Sequence, residues 1–157
     1  MIEIILSFSQ ATGIYSFMNS PWGWPVAESI HFFGLCLLVG TVGLFDLRMM
    51  GFAKEISLAE LHRLVPAGVA GYSLNVVTGI MFLSTAPDQY IYNPAVQSKF
   101  FFMLIAGTNM MFFYATTAKQ VKSGTAIVGV VFRAKSIAAS SLACWCGVFI
   151  CGRLITC

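Results

Sequence analysis

The apolar residues of this chain recur in blocks of about 20, the length needed to cross a hydrocarbon core about 30 Å thick. Between the blocks lie short stretches that hold most of the charge. Only 10% of the 157 residues are charged and 58% are hydrophobic, whereas a soluble domain carries about 25% charged residues. Such a chain lacks the polar side chains to cover a water-facing surface. That excludes a soluble enzyme, a disordered tail and a nucleic-acid module. The length suits one bundle and leaves no room for a second domain. The expected fold is an all-α integral membrane domain.

Four spans are expected, at about 25–45, 64–86, 98–118 and 136–156. Pro25 suits a first helical turn, and Pro87 closes the second span. Residues 1–24 precede them. The apolar run Met1 to Met18 has no basic region and no small-residue cleavage pattern, so it does not read as a signal peptide. Residues 3–18 are expected to form a short helix lying in the interface. Asn19 to Pro25 holds two prolines and a glycine and is expected to break it, with Trp22 and Trp24 at headgroup level. Thr125 to Phe132 is apolar but too short to span, and Arg133 and Lys135 separate it from the fourth span.

The loop charges orient the bundle. Arg48, Lys54 and Arg63 lie in the first connection and Lys119, Lys122, Arg133 and Lys135 in the third, while Pro87 to Gln97 has no basic residue. The positive-inside rule places the first and third connections in the cytoplasm and both termini outside. In a bacterial inner membrane that outer side is the periplasm. Ala139, Ala143, Gly147 and Cys151 recur every fourth position, and Gly40, Gly43, Gly68 and Gly71 likewise allow close helix approach. The five cysteines read first as small packing residues and second as a soft-metal site.

Ionisable residues in hydrocarbon cost free energy, so each asks for a reason. Glu28 and His31 share a face of the first span, about 5 and about 9 Å below its start. Lys99 opens the third span and Arg153 lies near the outer end of the fourth. All four fall in the outer leaflet, with Asp88, Tyr90 and Tyr92 able to close over them. One reading is a structural ion network in which Glu28 pairs with Lys99 or Arg153. The other is a cofactor site: haem b with propionates on Lys99 and Arg153 and iron on His31, or a quinone headgroup with its protons handled by His31 and Glu28. His62, the other histidine, stands near the opposite membrane face, so the two cannot share one iron.

Asp46, Arg48, Glu60, His62 and Arg63 are expected at the inner boundary, where charge costs little, with Asp46 and Arg48 anchoring the helix end. Asn75, Thr78 and Asn109 lie at mid-depth. The two asparagines match in depth and are expected to hydrogen-bond across helices, or to serve as a polar relay.

Trp24-Pro25-x-x-Glu28-Ser29-x-His31, Asp46-Leu47-Arg48, His62-Arg63-Leu64-x-Pro66, Thr78-Gly79, Lys99, Asn109 and Gly152-Arg153 together resemble a family of uncharacterised bacterial four-helix membrane proteins. The likeness covers about residues 22 to 156. More distantly, the His of the first helix followed by glycines, the Thr-Gly of the next, and the Lys then Asn of the third look like the copper-resistance D family. That likeness implies copper handling or a haem-associated membrane role. The chain departs from a copper path in lacking Met-x-x-Met or His-rich outer segments.

The leading functional expectation is a membrane redox subunit that binds haem or quinone through His31, Glu28, Lys99 and Arg153. The alternatives are a transporter for copper or another small ion, with His31 as a metal ligand and Asn75 and Asn109 along the path, or a structural subunit with no cofactor. Lipid, other membrane subunits or further copies of the chain are the expected partners. There is no Gly-x-Ser-x-Gly, phosphate-binding loop or His-Glu-x-x-His, so no enzyme activity of its own is expected.

Overall fold

The computed structural model describes residues 1–52, 55–116 and 128–155, apart from the side chains of residues 58, 59, 62 and 128–130. The described chain is all-helical. Its elements are α1 (Ile2–Ala11), α2 (Ile14–Met18), α3 (Gly23–Met50), α4 (Leu58–Arg63), α5 (Val65–Thr85), α6 (Pro87–Ile91), α7 (Pro94–Thr116) and α8 (Val128–Leu154). Within them, α3, α5 and Val131–Leu154 of α8 are long and apolar enough to cross a membrane. Helix α7 has 23 residues, but Gln97, Ser98, Lys99 and Asn109 lower its hydropathy.

The long helices expose large apolar side chains such as Phe33 on α3, Val77 on α5, Leu104 on α7 and Ile150 on α8. Apolar residues on every side are what hydrocarbon surroundings select. Helix α3 packs on both α5 and α8, and α7 packs on α8, whereas α5 and α7 share no comparable interface among the described residues. The core sits where Leu38 of α3 and Ala106 of α7 meet Cys144, Trp145 and Val148 of α8.

Local chemistry moves several expected boundaries. The N-terminal segment is two helices, because Gly13 turns the chain with a φ of 75°, a left-handed conformation that glycine adopts without a Cβ penalty. Helix α3 takes Trp24 and Pro25 into its first turn, where a missing N–H removes no helical bond. It also runs on to Met50, beyond the expected end near 45. Helix α8 starts at Val128, so Arg133 and Lys135 are exposed on a continuous helix and do not separate two segments. The connection at 117–127, including Lys119 and Lys122, lies outside the described residues.

The small-residue expectations are corrected in part. On α8 the buried side chains are Ala134, Ile137, Ala138, Ser141, Cys144, Trp145, Val148 and Cys151, while Ala139 and Ala143 are exposed. Steps of three and four keep a stripe on one face, whereas constant steps of four drift off it. The tight α3–α5 crossing lies at Gly34 and Gly71. A Cβ on Gly71 would stand 2.5 Å from the Gly34 carbonyl oxygen and 2.8 Å from Leu38 N, while one on Gly40 meets nothing within 4 Å.

Candidate functional site

The crossing at Gly34 and Gly71 draws the ends of α3 and α5 together, and His31 meets Thr78 there. The Thr78 hydroxyl donates to the Leu74 carbonyl at 2.6 Å, so its oxygen accepts from His31 Nδ1 at 2.7 Å. That fixes the ring proton on Nδ1 and leaves Nε2 as the acceptor. Lys99, reaching in from α7, donates to Nε2 at 3.2 Å. The result is a directed chain, Lys99 to His31 to Thr78 to the Leu74 carbonyl, which joins three helices.

An aromatic wall stands beside this chain. Phe82, one turn beyond Thr78 on α5, is stacked between Trp24 (5.4 Å, 9°) and Tyr90 (6.2 Å, 8°). The His31 ring tilts against Phe82 at 5.5 Å. Met18, fully buried, packs with Ala27 and Phe82, so α2 closes the same cluster from the N-terminal side. Burial, reinforced by the nearby Glu28 carboxylate, pushes the Tyr90 phenol up.

The structure brings His31, Thr78 and Lys99 together. Thr78, grouped in the sequence with the two asparagines, is thus tied to this cluster. Glu28 is exposed and makes no ion pair with Lys99, so that part of the expected ion network does not form. Arg153 is exposed in the last turn of α8. It follows Gly152, where a Cβ would stand 4.0 Å from Lys99 Nζ. Tyr90 closes over the site as expected, while Asp88 and Tyr92 are exposed. Trp24 turns inward to stack on Phe82, and only Trp22 remains exposed.

The asparagines do not meet. Asn75 donates to the Gly71 carbonyl of its own helix at 3.0 Å, and Asn109 donates to Ile137 of α8 at 2.8 Å. Their depths match, but α5 and α7 sit on different neighbours. Asp46 is also displaced from its expected place. With α3 continuing to Met50 it is buried at 6% exposure and does not stand at an open boundary. Arg48 does tie down the helix end, donating from Nε to the Ile56 carbonyl at 2.7 Å. The side chain of His62 lies outside the described residues.

Sequence reasoning missed Phe82 and Gly34. Both were signalled by spacing: Phe82 is four residues from Thr78 and Gly34 three from His31, so each shares a helix face with a residue already singled out. It also missed the capping box at α4, where Ser57 N and Oγ donate to Glu60 Oε2 at 2.9 and 2.7 Å.

A histidine-ligated metal does not suit this arrangement. An iron or copper on Nε2 needs the lone pair that Lys99 engages, and Nδ1 carries the proton given to Thr78. Among the described residues, no three His, Cys, Asp or Glu side chains are grouped to hold a metal ion. A flat ligand with carbonyl oxygens suits it better, because the Lys99 ammonium has two further N–H donors beside an aromatic stack. No protein family, curated protein or solved structure matches this chain.

Proposed function

We propose that the chain is a multi-pass protein of the bacterial inner membrane that binds a quinone headgroup at the His31–Thr78–Lys99 cluster and passes electrons as a subunit of a larger membrane assembly or homo-oligomer. In this reading α7 spans as well, giving four spans with both termini on the periplasmic side. The orientation is supported by Arg48, Arg63, Arg133 and Lys135, which all lie at the helix ends opposite His31.

The observation that carries the reading is the directed hydrogen-bond chain beside the Trp24–Phe82–Tyr90 stack. Lys99 presents positive charge and free donors to a carbonyl or anionic oxygen, and low-dielectric surroundings strengthen that attraction. Lys99 is the group able to hand a proton to the ligand, while His31, engaged on both ring nitrogens, holds the ammonium in place. The outer faces of Trp24 and Tyr90, stacked on Phe82, offer aromatic surface to a planar ring. A quinone, when bound, supplies reversible two-electron, two-proton chemistry. Arg153 and Glu28 add charge of both signs at this end of the bundle.

The test is a cofactor inventory of the full chain purified in mild detergent. Organic extracts are examined for quinone, the protein for its absorption spectrum, and the same sample for metals. The expected result is near-stoichiometric quinone with no Soret band. A Soret band with matching iron would replace quinone by haem b, stoichiometric copper would favour the ion-handling alternative, and none of the three would leave a structural subunit.

A further inference from the structure

The chain has six acidic residues. Glu3, Glu28, Glu55, Glu60 and Asp88 are exposed, and Asp46 alone is buried. It lies on α3 one turn before its end, on the seam with α8. The Asp46 Oδ2 is enclosed and, among the described residues, has no hydrogen-bond partner. Ser141 of α8, also buried, lies beside the carboxyl. The turns around the pair are apolar, with Phe45 and Met49 of α3 packed on Phe113 of α7 and Ile137 of α8.

Among the described residues, no cation compensates this carboxyl. Arg48, two residues on, spends its Nε on the Ile56 carbonyl. Arg133 and Lys135 of α8 are exposed. The Asn109 amide of α7 donates to the Ile137 carbonyl. Among the described residues, what faces Asp46 from its packed neighbours is one hydroxyl and hydrocarbon. A carboxylate enclosed this way is an uncompensated buried charge, far more costly than a neutral acid in the same place.

We propose that Asp46 and Ser141 form a proton-binding site inside the bundle, at the opposite end of α3 from His31. The proton sits on Oδ2, which makes the side chain a neutral carboxylic acid, and the other oxygen faces the Ser141 hydroxyl. The site uses a different helix pair from the His31 cluster and does not depend on what that cluster binds.

Infrared spectroscopy of the full chain in lipid nanodiscs at neutral pH tests this. The wild type should show a carboxylic-acid C=O band that shifts in D2O, and Asp46→Asn should lack it. Ser141→Ala should keep the band at a shifted frequency, since it loses a polar neighbour and not the proton; this arm holds even if the Asn variant fails to fold. Absence of the band in wild type, or an unchanged band in Asp46→Asn, would overturn the proposal. So would a wild type that lacks the band and is stabilised by sodium chloride over choline chloride, because a metal cation would then occupy the place of the proton.

Discussion

At one end of α3, His31 has a partner on each ring nitrogen and lies where three helices converge. At the other end, Asp46 keeps one hydroxyl neighbour and an oxygen with none. Backbone approach accounts for the contrast. Near His31 the glycine pair Gly34–Gly71 brings α3 and α5 close enough for short side chains to bond across. Near Asp46 the α3–α8 seam is ordinary contact, with a Cβ on Gly43 standing 3.9 Å from Leu142. Where backbones approach closely, buried polar groups find protein partners. Where large apolar side chains hold helices apart, an acid must satisfy itself in another way.

The largest way to break the comparison is Gly71→Ala. Its Cβ meets backbone on α3, so the helices must part, and thermal unfolding in detergent should show a loss of about 1–3 kcal/mol together with rupture of the His31–Thr78 bond. Gly43→Ala, at the looser end, should leave the melting curve almost unchanged. Equal effects would remove the proposed difference in packing.

Thr78→Val comes next. It leaves the His31 Nδ1–H without its acceptor and should cost about 0.6–2 kcal/mol, the range for interhelical polar contacts in lipid. Asp46→Asn, which replaces one neutral group by another, should fall below that on the same assay. A larger loss for Asp46→Asn would mean that its carboxyl is a charged, compensated group after all.

Smaller effects come from two groups outside the spans. The Tyr90 phenol is pushed up by burial, so the folded state holds its proton more tightly than the unfolded one. That stability is fully present below the unfolded value of about 10 and is lost as pH rises through the folded one. Melting temperatures should therefore fall in alkali, less steeply in Tyr90→Phe. At α4 the Ser57 bonds hold the Glu60 carboxyl below its usual range. Its contribution is present above the unfolded value of about 4.3 and is lost as pH falls through the folded one. Amide protection factors in the first turn of α4, corrected for intrinsic exchange rates, should fall in acid, and Glu60→Gln should flatten that response; Glu60 is fully exposed, so this is the smallest effect.

Much of the helical framework was legible because apolar block length reports bilayer thickness. The second span fell within a residue of α5 at each end, with Pro66 in its first turn and Pro87 just past its end. Ends without such markers moved: α3 ran past Phe45 to Met50, and with it Asp46 went from boundary to interior. At the site, His31 and Lys99 were readable because charge in an apolar run demands a partner. Which partner they take was not readable, because pairing depends on which helices are neighbours. Asn75 and Asn109 match in depth yet sit on helices that do not pack together, and Thr78 looked like mid-membrane glue until α5 was placed against α3.

The most direct measurement is a titration of the purified full chain with a short-tailed quinone, followed by tryptophan fluorescence, since Trp24 lies on the Phe82 stack beside His31. The wild type should show saturable quenching. His31→Ala and Lys99→Ala should weaken binding about tenfold or more, a loss of at least about 1.4 kcal/mol, while remaining folded by circular dichroism. Superimposable titration curves for the wild type and both folded variants would contradict the assignment of this cluster as the binding site.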